Sequence, residues 1–401
     1  MSKKKNGAVN AIIVVVISFT GVLLAAEAGL RLIEKAGIAA PFFATMGNAR
    51  PPLNIRTGPG LFYSHPYTGY AMKPNYRRDP FELVNSLGFR GEEIALKKPE
   101  DVYRIVAIGG STTFAVYLPW NETYPYQLQA ELRKRFNSDR IEVINAGLTG
   151  STSAESFHRL ATQILPVEPD MLIIYHAFND LLPRVFDDYQ EDYYHFRKSD
   201  PNNPPGMTRF YLYRLALAVL SPGFFHENYN LMTKVWKTEN MPVTDTERAQ
   251  NFLNSSNDAF IFNMDNIITL ARGKGIDVVL ASFAMNSDIW HWMDNIPPYL
   301  WEVGIAENNA AIYELSDQYQ LPLVPFAEAP FRDGSREYQA KMYADSIHMT
   351  AEGNRFKAQI FANTIAPIVA EALGIPVPPA SSFFDSSAAS NDVSDDAVGI
   401  N

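Results

Sequence analysis

Arg104-Ile-Val-Ala-Ile-Gly-Gly-Ser-Thr-Thr-Phe114 is the stretch on which the fold turns. A short apolar run rich in β-branched residues ends at two glycines, and a serine follows at once. The run predicts a buried strand, and the glycines predict a tight turn that displays Ser111 at the carboxyl edge of a sheet. Open α/β sheets carry their chemistry at that edge. A strand, a turn and a serine are a weak signature alone. They gain weight because Gly150, Asn179 and the pair Asp345 and His348 follow along the chain in that order.

Outward from this stretch the chain alternates between two periodicities. Strands are predicted at 104–109, 141–145, 171–176, 277–282 and 321–325, and helices near 123–136, 152–165, 257–273, 300–318 and 351–372. Strands alternating with helices imply a mainly parallel sheet with helices on both faces. The expected organisation is a basic end and membrane segment over 1–36, an irregular arm over 37–100, a catalytic domain over 101–375, and a disordered tail over 376–401 rich in Ser, Ala and Asp. The arm carries Tyr63-Ser-His-Pro-Tyr-Thr-Gly-Tyr70 and Asn85-Ser-Leu-Gly-Phe-Arg-Gly91. Residues 185–250 interrupt the alternation with many aromatics, among them Tyr193, Phe196, Phe210, Tyr213, Phe224 and Trp236. This insertion reads as a cap over the site, as a surface touching a bilayer through Phe210 to Leu220, or as simple packing on the core.

Composition narrows the function. The chain has 401 residues, 47% of them hydrophobic and 19% charged, enough to build a substantial core. A formal net charge of −10 argues against a nucleic-acid partner. There are no cysteines, so disulfides, thiol catalysis and cysteine metal sites are excluded. His65, His158, His195, His226 and His291 show no metal-ligand spacing, so neither a metal nor another cofactor is expected. No Lys follows the Gly-Gly-Ser-Thr-Thr turn as it would in a phosphate-binding loop.

At the N-terminus, Lys3, Lys4 and Lys5 precede an apolar run from Ala11 to Ala26. Such a segment is a cleaved signal peptide or a signal anchor. An Ala-x-Ala site stands at Ala26-Glu27-Ala28, yet the helical pattern continues through Leu30, Leu32 and Ile33. An uncleaved anchor is the expectation, with Arg31 and Lys35 snorkelling to extend a run slightly short of the ~20 residues of a spanning helix. The basic end then stays in the cytoplasm and the catalytic domain lies outside, periplasmic or extracellular.

A serine hydroxyl is a poor nucleophile until a base takes its proton. The base is expected to be a histidine held by an acid that fixes its tautomer. Asp345-Ser-Ile-His348 supplies both, just before the last helix, which Thr350 can cap. Attack on a carbonyl creates an oxyanion that needs donors. Gly150, in the loop after the second strand, offers a backbone N–H free of side-chain hindrance. Asn179, just after the third strand, offers its amide. His176 ends that strand and reads equally as a site-lining or a packed residue. Asp180 is expected to hold a loop rather than act on substrate.

These blocks resemble the SGNH hydrolases, the GDSL-type esterase and lipase superfamily, over roughly residues 104 to 372 without the insertion. The resemblance implies a flavodoxin-like three-layer sandwich around a mainly parallel five-stranded sheet, together with the N-terminal transmembrane helix. It implies Ser111, Asp345 and His348 as catalytic residues, and the Ser111 N–H, Gly150 and Asn179 as the oxyanion hole. The Asn85–Gly91 arm behind a membrane segment is similar to that of membrane-anchored bacterial members. Two positions depart from the family pattern. Gly110 stands where the acid of Gly-Asp-Ser is usual, and Ala177 where the glycine of Gly-x-Asn-Asp is usual. The expected function is a serine esterase that hydrolyses or transfers acyl groups, with O-acetyl esters of a cell-envelope carbohydrate as substrate by analogy. A lipase or lysophospholipase, and a non-catalytic envelope protein retaining the fold, are the alternatives.

Overall fold

Five short runs bury both of their faces, and that burial builds the sheet. In the computed structural model they form β1 (Tyr103–Gly109), β2 (Ile141–Gly147), β3 (Met171–Tyr175), β4 (Asp277–Ala281) and β5 (Leu323–Val324). The structure describes residues 2–35, 61–65, 68–196, 212, 215, 244–289, 298–331, 341–377 and 379–380. The strands pair in parallel in the order β2-β1-β3-β4-β5. Every residue of β1 and of β3 is buried, as continuous Val/Ile-rich strands require when helices cover both faces. The fold is thus the expected doubly wound one, and all five strands lie within two residues of the sequence-based bounds.

Side chains alternate across the sheet. Val106, Ile108, Leu172, Ile174, Val278 and Leu280 share one core with Leu160, Ile164, Phe260, Met264, Ile267 and Ile312. The last four of these belong to α5 (Asp258–Arg272) and α6 (Pro298–Tyr319). The opposite face is covered by α2 (Tyr124–Phe136) and α7 (Ala351–Leu373), which pack on each other. Tyr124, Leu128 and Leu132, spaced four apart, form the buried stripe of α2. Thr350 caps α7 by accepting the Gly353 N–H at 3.2 Å, as its position predicts. Between the sheet strands lie α3 (Ser153–Arg159), which runs on as a π turn over Leu160–Ile164, and α4 (Asp245–Asn254).

By internal contact the chain divides into two units, Met1–Lys73 with Phe196–Glu239, and Pro74–His195 with Asn240–Asn401. The first contains α1 (Ser2–Lys35) and a hairpin of Phe62–His65 with Gly69–Met72. Within α1, Ile13–Ile33 has a mean hydropathy of 2.2 over 21 residues, long and apolar enough to cross a membrane. Membrane anchors and signal sequences share that character. Glu27 accepts the Leu212 N–H at 2.8 Å and pairs with Arg31. Most of the aromatic insertion, including Phe210, Tyr213, Phe224 and Trp236, lies outside the described residues, as do 36–60 of the arm and 381–401 of the tail.

The register brings three turns to one level. Gly109 pairs with Gly147 on one side and with Tyr175 on the other. The chain therefore leaves β1, β2 and β3 side by side at the carboxyl edge, where the strand order reverses.

Candidate active site

Ser111 opens a four-residue helical turn, Ser111–Phe114, directly after β1. Gly110 accepts the Thr113 and Phe114 N–H groups at 3.1 and 3.0 Å, which folds the Ser111 turn tightly back on itself. Asn145 of β2 donates from Nδ2 to the Thr113 carbonyl at 3.0 Å and ties the turn to the sheet. Ser111 is 8% exposed, so its hydroxyl is reached only through a narrow opening.

Asp345 and His348 arrive from the other end of the chain, on a turn just before α7. The turn is closed by the Ala344 N–H donating to the His348 carbonyl at 2.8 Å. It is anchored to the segment after β4 by the Asn286 N–H, which donates to the Ser346 carbonyl at 2.8 Å. His348 Nε2 lies 2.8 Å from Ser111 Oγ, and its Nδ1 lies 2.7 Å from Asp345 Oδ2. The other carboxylate oxygen accepts the Ile347 and His348 N–H groups at 3.0 and 2.8 Å. Burial disfavours a charge on Asp345. The hydrogen bond and charge of His348 and these two N–H groups outweigh it, and the carboxyl is held below its ordinary pKa. A carboxylate so held orients the imidazole and leaves Nε2 facing the Ser111 hydroxyl.

Gly150 occupies the third position of a turn in which the Ser151 N–H donates to the Leu148 carbonyl at 3.1 Å. Its φ of +75° is the left-handed value such a turn demands there. Asn179 stands in the 3-10 helix Phe178–Val185, one turn after β3. Its Nδ2 donates to the Ser151 carbonyl at 2.8 Å, leaving a second hydrogen available. The Asn179 amide lies over Gly110: a methyl group there would sit 2.5 Å from Nδ2. Glycine in place of the family's usual acid is thus what this position of Asn179 requires. Ala177, the other departure, has a φ of −172°, outside the left-handed region that favours glycine. Ser111, Gly110, Asn179 and His176 line one small cleft with Phe178, Phe283 and Ile347. Gly150 does not line that cleft and is joined to Asn179 through Ser151.

The cleft has a volume of only about 10 Å³, on the scale of one water-sized sphere. His176 both lines it and is packed: its Nε2 lies 2.7 Å from Ser156 Oγ, and burial lowers its pKa to about 3, so the ring is neutral. Asp180 holds the loop, as expected. It accepts from the Ser153 N–H, the Ser153 hydroxyl and the Tyr193 hydroxyl.

Two residues beside the site had no assigned part in the sequence reading. Arg90, from the Asn85–Gly91 segment, is buried and lies 3.9 Å from the Phe114 ring centroid. It donates to the carbonyls of Phe114, Leu118 and Phe81 at 2.7, 2.6 and 3.1 Å. Asn85 shapes this segment, its side chain accepting the Leu87 and Phe89 N–H groups. The loop that Arg90 clasps contains Ala115 and Tyr117 at φ +58° and +73°, and the Tyr117 ring stands edge-on to His348 at 5.6 Å. Only the Asn85–Gly91 motif signalled any of this, and a guanidinium that binds backbone carbonyls leaves no partner signature in the sequence.

A model of the GDSL-like Lipase/Acylhydrolase family matches residues 107–356, more than half of the chain. Solved structures to which the chain is similar include a lipase/acylhydrolase from Enterococcus faecalis, 16% identical, with a TM-score of 0.40 over 66% of this chain and 95% of that one. An acetyl xylan esterase from Geobacillus stearothermophilus is 12% identical, with a TM-score of 0.42 over 66% of this chain and 96% of that one. An alpha/beta hydrolase from the metagenome of Lake Arreo is 14% identical, with a TM-score of 0.41 over 65% and 94%. No curated protein matches the chain.

Proposed function

The chain belongs to the GDSL-like lipase/acylhydrolase family and is an ester hydrolase; from that premise we propose that Ser111, His348 and Asp345 are its catalytic triad. The unbroken relay from Ser111 Oγ to His348 Nε2, and from Nδ1 to Asp345, carries this reading. His348 takes the Ser111 proton as Oγ attacks the ester carbonyl. The oxyanion is met by the Ser111 N–H, the Gly150 N–H and the free hydrogen of Asn179 Nδ2. His348 then protonates the departing alcohol. Water, activated by the same imidazole, attacks the acyl-serine and releases the acid. A sugar hydroxyl in place of that water completes a transfer instead.

We further propose that the acyl group is acetyl and the alcohol a carbohydrate of the cell envelope. The small cleft beside Ser111, walled by Phe178, Phe283 and Ile347, supports a two-carbon acyl group over a long chain. The apolar helix behind three lysines supports a membrane-anchored enzyme with its catalytic domain outside the cytoplasm. The organisation that follows is an anchor over 1–36, an arm over 37–100, a hydrolase domain over 101–375 and a tail.

The test is turnover of nitrophenyl acetate and nitrophenyl octanoate by the full chain in detergent, with Ser111→Ala as control. Faster, Ser111-dependent cleavage of the acetate is expected. Preference for the octanoate would transfer the assignment to a lipase. Turnover equal in wild type and Ser111→Ala would refute the serine mechanism.

A further inference from the structure

Tyr117 is 63% exposed, yet its backbone sits at φ +73°. A bulky residue in that region is a real outlier. Such strain persists only where the surroundings over-determine it. Here they do so from both sides. Arg90 binds the carbonyls of Phe114 and Leu118, which flank the strained stretch, and its guanidinium stacks on Phe114. Burial of the ring does not explain the arrangement, because most of the ring faces solvent. What the strain achieves is position: the ring stands edge-on to His348, with centroids 5.6 Å apart and planes at 81°.

That position coincides with one half of the ester. The acyl half belongs to the cleft lined by Phe178, Phe283 and Ile347. The leaving oxygen must come within hydrogen-bond reach of His348 Nε2 to receive its proton. Whatever that oxygen carries therefore passes beside the imidazole, where Tyr117 stands. An exposed phenol ring offers an apolar face and a polar tip, the combination that suits a pyranose with its C–H faces and hydroxyl rim.

The geometry points to Tyr117 as the platform for the alcohol half of the substrate, a sugar ring, held in place by the Arg90 clasp. This rests on the esterase reading above and adds the side of the site that recognises the alcohol.

The test uses the full chain and two acetate esters of primary alcohols, methyl 6-O-acetylglucoside and ethyl acetate. Tyr117→Gly removes the ring and suits the positive φ, so the loop keeps its path. It is expected to raise KM for the sugar ester about tenfold, the scale of one aromatic contact, with kcat and ethyl acetate turnover within twofold of wild type. Tyr117→Phe, which keeps the apolar face and loses the polar tip, is expected to raise KM for the sugar ester by less than Tyr117→Gly and to leave kcat and ethyl acetate turnover at wild-type values. Equal losses on both esters with Tyr117→Gly would overturn the platform and leave Tyr117 a support for His348. Unchanged kinetics on the sugar ester would overturn it too, as would a wild type that cleaves only ethyl acetate. A wild type without Ser111-dependent turnover of either ester would remove the reading beneath the proposal, an outcome distinct from the others.

Discussion

At the amino edge of the sheet, Arg104 lies opposite Glu142 in register, and their side chains pair at 2.5 Å. At the carboxyl edge of the same two strands, Gly109 lies opposite Gly147 and the chain departs through tight and left-handed turns. The amino edge is finished by complementary charges. Lys98 pairs with Asp170 at 3.0 Å, and the Tyr103 hydroxyl donates to Asp277 at 3.1 Å. The carboxyl edge instead gathers a serine, a histidine, an amide with a spare hydrogen and a buried acid. One edge spends its polar groups on stability, and the proposed mechanism draws on those of the other. Substitutions at the two edges should therefore separate folding from turnover.

The largest effect belongs to Ser111. Ser111→Ala is expected to lower ester turnover on the order of 10⁶-fold, the scale seen when a triad nucleophile is removed, with an unchanged unfolding midpoint. Asn179→Ala is expected to cost ~10²–10³ in kcat through loss of one oxyanion donor. Full activity in that variant, with folding intact by circular dichroism, would remove Asn179 from the oxyanion hole. Arg90→Lys keeps the charge and loses the planar fork that binds Phe114 and Leu118 together. It is expected to lower kcat about tenfold on every ester, because the whole Ser111 turn loosens, and to raise KM for sugar esters as well, because the clasp positions Tyr117. A KM effect on sugar esters with kcat unchanged would confine the part of Arg90 to Tyr117.

At the opposite edge, Arg104→Met is expected to destabilise by about 3–5 kcal/mol, since it breaks a buried pair and orphans the Val167 carbonyl that Arg104 binds. Turnover per folded molecule is expected to stay within twofold. Loss of kcat at constant folded fraction would show that the edges are coupled, which the comparison denies.

The contrast also explains what the sequence disclosed. The five strands are legible because burial on both faces demands unbroken runs such as Ile105–Ile108 and Met171–Tyr175. The Asp345–His348 turn is legible because the two residues sit three apart and are hydrogen-bonded within one turn. Asn179 is legible as a residue type, whereas its fit over Gly110 is not, since that depends on a contact between two loops. Arg90 and Tyr117 lay beyond reach for a different reason. Arg90 acts on backbone carbonyls 24 to 28 residues away, and carbonyls have no identity in a sequence. The left-handed backbone at Tyr117 is imposed by that clasp against the residue's own preference, so no local rule announces it.

A pH-dependent effect comes from two aspartates that the edges treat differently. Asp170 accepts from a lysine and from the Arg104 N–H at 2.7 Å. Asp180, next to Asn179, is buried among hydroxyls, and no cation pairs with it among the described residues. Burial raises its pKa to about 7, against the lowering by its bonds from Ser153. The folded state then holds this proton more tightly than the unfolded chain, which releases it near pH 4. Stability from this group is complete below pH 4 and declines as pH rises toward and past 7, by roughly 3 kcal/mol between pH 5 and 8. Asp345 acts in the opposite sense, since its lowered pKa stabilises above pH 4 and that contribution is lost in stronger acid. Between pH 5 and 8 Asp180 therefore sets the slope of the two. The unfolding midpoint of the wild type is expected to fall by several degrees over that range, and Asp180→Asn, which mimics the protonated acid, is expected to flatten the fall. An identical slope in the variant would mean that the acid beside the oxyanion loop is already ionised at pH 5, and that the carboxyl edge tolerates a buried charge as readily as the amino edge does.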